Sequence, residues 1–116
     1  MTVREAIERS AVLFPAELDS DKAYIFLSEL ESRINTELYA ENSVCITDSD
    51  KDMLLKADGA YAQIYPLYIT ARRELACGDA DRYGFFNSVF EQVYSDYANY
   101  VNRSVLPARS VYIKNI

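Results

Sequence analysis

The chain has no histidine and no tryptophan, and only two cysteines, three glycines and three prolines in 116 residues. Without histidine the commonest general base and metal ligand is missing, so Ser-His-Asp and Cys-His nucleophile arrangements are excluded. Three glycines cannot build a glycine-rich phosphate cradle, and neither GxxxxGK[ST] nor GxGxxG occurs. So few turn formers also argue against an all-β architecture, which needs many tight turns. Cys45 and Cys77 make no CxxC pair and no disulfide framework, and read as two reduced thiols. No apolar run approaches the roughly 18–20 residues that span a bilayer. The opening MTVREAIERS is charged where a signal peptide is apolar. A protein of the cytoplasm, with no membrane partner, is therefore expected.

Positive charge is scarce as well. Twelve Lys and Arg face eighteen Asp and Glu, a net charge of −6. Affinity for nucleic acid comes largely from neutralising phosphates, so tight nucleic-acid binding is not expected. Asp48, Asp50 and Asp52 have the spacing of a calcium loop, but its sixth and twelfth positions hold Met53 and Gly59 where glycine and glutamate belong. A polar loop or a helix cap is the expectation there, and no metal or cofactor is predicted. A carboxylate-based site would need Glu at inward positions of facing helices, and the inward positions read as apolar.

What the chain has is apolar mass in helical register. Half of the residues are hydrophobic, and seven of the ten tyrosines lie between Tyr61 and Tyr100. One domain fits the length. The most informative stretch is 79–102, DADRYGFFNSVFEQVYSDYANYVN, where Tyr83, Phe86, Phe90, Val93, Tyr97 and Val101 recur at alternating spacings of three and four. Phe85, Val89 and Tyr94 widen that stripe. Asp79 is the expected N-cap, and Gly78 ends the preceding helix.

Three more helices are predicted upstream. A short one spans 2–13, opened by a Thr2–Glu5 capping box, with Val3, Ile7 and Ala11 on one face. It stops at Pro15, where Phe14 and Leu18 plug the core. A second spans 20–40 with the stripe Ala23, Leu27, Leu30, Ile34 and Leu38, its charges solvated and Glu29 paired with Arg33. A third spans 61–76, apolar around much of its circumference and so central, with Pro66 either in its first turn or at a kink. The joint before 79 is short, so the last two helices should be antiparallel neighbours. Between 41 and 60 the chain is irregular. Residues 43–47 are suited to a strand or extended segment, and residues 53–55 dip to the core.

After Asn102 the periodicity ends, and Pro107 interrupts the chain. Residues 103–116 read as an extended, locally basic tail with alternating Val111, Tyr112 and Ile113. Arg103, Arg109, Tyr112 and Ile113 are the candidate partner-binding residues. The fold expected is all-α: a small antiparallel bundle of three long helices plus a short N-terminal helix, an irregular loop and an extended C-terminal tail. Residues 1–102 form the helical domain.

Several blocks also carry a resemblance. Phe26-Leu27-Ser28-Glu29-Leu30 with Arg33-Ile34, then Tyr65-Pro66-Leu67-Tyr68, Gly78, Asp81-Arg82-Tyr83, and Tyr97, Tyr100 and Asn102-Arg103 resemble, in order, the later helices of small proteins from structural modules of tailed phages and prophages. The chain departs from that pattern at Phe26, where the group has tryptophan, and at Glu31-Ser32, where it has Asp-Gly. The segment 41–60 matches nothing in it. The group is similar to the head–tail connector, or neck adaptor, proteins. The resemblance implies a non-enzymatic helical subunit that forms a ring with copies of itself and docks to the portal or other neck proteins. It further implies assembly in the bacterial cytoplasm and a final place in the virion neck. The alternative from the residues alone is a small acidic helical module that binds a host or regulatory protein.

Overall fold

The first helix, α1 (Val3–Leu13), begins on the predicted capping box. The Glu5 N–H donates to Thr2 Oγ1 at 3.2 Å and the Thr2 N–H donates to Glu5 Oε1 at 3.1 Å, so two otherwise orphaned amides are satisfied reciprocally. Those bonds, the backbone one foremost, hold the Glu5 carboxyl below its usual range. The buried face is Val3, Ala6 and Ser10, with Ile7 and Ala11 at its margin. It is rotated from the predicted face because Ser10 turns inward and its hydroxyl donates to the Ile7 carbonyl at 2.7 Å. The computed structural model describes residues 1–13 and 20–104. The predicted stop at Pro15, the plug at Phe14 and Leu18, and Pro107 lie outside them.

The second helix, α2 (Ser20–Leu38), places Ala23, Leu27, Leu30, Ile34 and Leu38 in the core as the spacing predicts. Full burial of each large aliphatic side chain contributes about 1.5–3 kcal/mol. Ala40 follows at φ 54°, a left-handed conformation that turns the chain out of the helix. The Glu41 N–H then reaches back to the Asn35 carbonyl at 2.8 Å.

A 3₁₀ turn (Gly59–Gln63) leads into α3 (Ile64–Ala76), so Pro66 sits in the first turn of the α-helix, where its missing N–H costs little. Ile64, Tyr65, Leu67, Ile69, Thr70 and Ala71 are all buried, which makes α3 the central helix. The helix ends at Gly78, φ 82°, whose N–H donates to the Leu75 carbonyl at 3.1 Å. The final helix, α4 (Ala80–Ser104), starts on Asp79, whose carboxylate accepts from the Arg82 N–H at 3.1 Å. It runs through Arg103 and Ser104, two residues past the predicted boundary. Arg103 in the last turn suits the negative end of the helix dipole.

The fold is all-α, with no strand among the described residues and one isolated bridge, between Thr2 and Leu54. No helix among them is long and apolar enough to cross a membrane. Aromatic contacts join α4 to α3 and to the turn before it: Tyr68 to Phe90 at 5.1 Å between ring centroids, and Tyr61 to Tyr97 and Tyr100 at 5.5 and 5.2 Å.

Candidate contact surface and buried polar network

The irregular segment between α2 and α3 is held by side chains of α2. The Ser32 hydroxyl accepts from the Val44 N–H and donates to the Val44 carbonyl, both at 3.0 Å. One turn earlier, the Ser28 hydroxyl accepts from the Ile46 N–H at 2.8 Å and lies 3.3 Å from the Ile46 carbonyl. The spacings match: four helical residues advance about 6 Å, and two extended residues about 6.6 Å. Residues 43–47 are therefore extended without belonging to any sheet. Asp48–Asp50 then forms a 3₁₀ turn in which the Asp50 carboxylate accepts from the Thr47 N–H at 2.9 Å. The aspartate cluster thus serves as a cap. Of residues 53–55, Leu55 is buried and Met53 half-buried, while Leu54 points to solvent.

A second clamp lies deeper. Glu31, 2% exposed, accepts from the Lys56 N–H and from the Tyr65 hydroxyl, each at 2.9 Å. Tyr65 in turn accepts from the Ala57 N–H at 2.9 Å. One carboxylate on α2 and one phenol on α3 so satisfy two backbone amides of the incoming segment. Burial pushes the Glu31 carboxyl above its ordinary range, against the opposing pull of those hydrogen bonds. Burial and the neighbouring Glu31 charge raise the Tyr65 phenol. Glu74 on α3 is also buried, and it accepts from Arg82 Nε at 2.8 Å. These two residues correct the expectation that inward positions are apolar and that the charges of α2 are solvated. Glu29 and Arg33 do not pair with each other. Glu29 faces Arg72 at 3.9 Å, and Arg33 bridges Glu37 and Glu91 at 3.3 and 3.4 Å. Its guanidinium, 4.1 Å from the Tyr94 ring centroid, is drawn towards α4 by that aromatic face.

Two large aromatics among the described residues are exposed, Tyr100 and, more fully, Phe85. Phe85 is 64% exposed, although the sequence places it on a widened apolar stripe. At about 100° per residue, Phe85 lies about 140° around α4 from Phe90, beyond the arc that α3 covers. Its ring packs edge-on against half-buried Phe86 at 5.2 Å, and the Arg82 guanidinium sits 5.5 Å from the Phe86 centroid. Because Arg82 is tied to buried Glu74, this corner of α4 is positioned from within. Farther along, Phe90, Tyr94, Tyr97 and Val101 are buried as the stripe predicts. Tyr94 donates to Glu37 at 2.9 Å, and the Tyr39 and Tyr97 hydroxyls hydrogen-bond to each other at 2.8 Å.

Of the candidate partner-binding residues, Arg103 lies exposed on the last turn of α4. Arg109, Tyr112 and Ile113 lie outside the described residues. Sequence reasoning missed the serine stitch. Its signal was present in Ser28 and Ser32, one turn apart beside the apolar stripe of α2. Cys45 and Cys77 are both exposed thiols with no disulfide partner. Compared with known protein families, curated proteins and solved structures, the chain matches none.

Proposed function

We propose that this chain is a non-enzymatic structural protein of a tailed phage or prophage, a head–tail connector subunit that joins copies of itself into a ring and docks to the portal. The neck assignment rests on the resemblance of the blocks on α2, α3 and α4. The contact role is carried by one observation, the exposure of Phe85 on a corner of α4 that the Glu74–Arg82 pair ties to α3. A large ring left in water is a natural anchor for a protein interface. The buried acid–phenol pair, Glu31 and Tyr65, is sealed in the core with both groups bound to backbone amides, which favours scaffolding over turnover. We also read the helices as a small antiparallel bundle, since Glu74 meets Arg82, Tyr68 meets Phe90 and Tyr61 meets Tyr97. Identical subunits in a ring touch through two different patches, and an acidic subunit lets DNA pass without being gripped. The protein then assembles in the bacterial cytoplasm and ends in the virion neck. Electron microscopy of particles lacking it should show filled heads that leak or fail to join tails. Normal infectious particles would overturn the assignment.

A further inference from the structure

We propose that residues 43–47 are an acceptor edge for strand addition, and that the C-terminal segment around Val111, Tyr112 and Ile113 of a second copy of this chain fills it. In an extended chain the N–H and C=O of alternate residues point to opposite edges. The groups of Val44 and Ile46 point to α2 and are taken by Ser32 and Ser28. Those of Ser43 and Cys45 therefore point outward, and among the described residues no hydrogen bond engages either one. Both residues are exposed. One edge is stitched down and the other is open, the arrangement that recruits an extended segment by backbone pairing. The ladder ends at Thr47, whose N–H is already bound to Asp50.

The donor follows from charge and length. Three of the twelve basic residues, Arg103, Arg109 and Lys114, fall after Asn102, and none of the eighteen acidic residues does. The acceptor edge is flanked by Glu41, Asp48, Asp50 and Asp52 with Lys51 among them. Glu41 and Asp52 also contact Lys56 and Arg4. Beyond Ser104 the sequence continues to residue 116, a stretch whose length allows a reach of about 40 Å when extended. Its alternating Val-Tyr-Ile composition favours a strand once an edge is offered. Edge and tail are two different patches, as a heterologous contact requires. The choice of a second copy rests on the ring proposed above, whereas the open edge does not.

The first test uses a labelled peptide of residues 103–116 and the full-length protein. Binding should be saturable by fluorescence anisotropy and weakened at least tenfold by Cys45→Pro, which deletes an outward N–H and spares the stitched edge. Circular dichroism should show unchanged helix content. If Cys45→Pro fails to fold, Ser43→Pro poses the same question. No binding, or equal binding by the variants, would overturn the edge. The second test oxidises a full-length variant carrying Cys77→Ser and Tyr112→Cys. A disulfide between Cys45 of one copy and position 112 of another is expected by mass spectrometry. A bridge formed only within one chain would overturn the second-copy assignment. Neither test reads particle assembly. Failure here alongside defective particles would remove the edge and leave the neck assignment, and the opposite pattern would do the reverse.

Discussion

Replacing Tyr65 by phenylalanine isolates the deeper clamp. The ring is fully buried, so its apolar packing stays and only the hydroxyl is lost. That hydroxyl donates to Glu31 and accepts from the Ala57 N–H, each at 2.9 Å. Its removal leaves a buried carboxylate with one partner fewer and a buried amide with none. A hydrogen bond to a charged group contributes about 1.5–3 kcal/mol, and an orphaned buried donor costs about 1–3 kcal/mol. The two overlap, because the segment can shift slightly once released, so about 3 kcal/mol is the expected loss. For a domain near this size that lowers Tm by roughly 10–20 °C. Urea unfolding followed by far-UV circular dichroism should show a lower midpoint at an unchanged slope. Adding Glu31→Gln to both backgrounds should give a coupling energy above about 1 kcal/mol. A Tyr65→Phe loss below about 1 kcal/mol would refute the argument that these bonds hold the 53–58 segment to the core.

The same carboxylate sets a pH dependence. Burial lifts Glu31 in the folded state above its value in the unfolded chain, so the native state holds the proton longer, and stability falls as pH rises from the ordinary glutamate range through the raised folded value. The stability difference between wild type and Glu31→Gln should shrink across that window, and a flat difference would contradict the shift. Two left-handed positions should respond in opposite senses. Gly78→Ala has open space for the methyl group but φ 82°, and should cost about 1–2 kcal/mol in the same urea assay. Ala40→Gly at φ 54° should leave stability equal or raised by about 0.5–1 kcal/mol. On α4, Phe90→Ala should cost about 3–5 kcal/mol, while Phe85→Ser should stay within about 0.5 kcal/mol and weaken assembly instead; a Phe85 variant that destabilises the monomer would show that the ring belongs to the core.

The helices were legible because each is encoded locally. The α2 stripe of Ala23, Leu27, Leu30, Ile34 and Leu38 needs nothing but period and burial, and all five are buried. Thr2–Glu5, Gly78 and Asp79 are capping signals whose partners lie within a few residues, and each makes the contact its chemistry predicts. What was illegible depends on separation along the chain. Glu31 reads as one more charge on a solvated helix until Lys56 and Tyr65 arrive, 25 and 34 residues away. Phe85 reads as core until the arc that α3 covers is known. Glu29 and Arg33 are spaced for each other, yet Arg72, Glu37 and Glu91 take them, since the rings of Tyr94 and Phe90 draw the Arg33 guanidinium across to α4.

Two adjacent residues of α2 fasten the irregular segment that follows it. In the structure Glu31-Ser32 and the segment 41–60 are one unit. Ser32 holds Val44, and Glu31 holds Lys56 and, through Tyr65, Ala57. An Asp-Gly pair at 31–32 could do neither. Glycine has no hydroxyl for the Val44 amide, and aspartate is one methylene too short to reach both Lys56 and Tyr65 from the same backbone position. A different segment between α2 and α3 would therefore demand different residues at 31 and 32 of α2. If the open edge at Ser43 and Cys45 is where a neighbour's tail binds, the serines of α2 that stitch down Val44 and Ile46 are what present it.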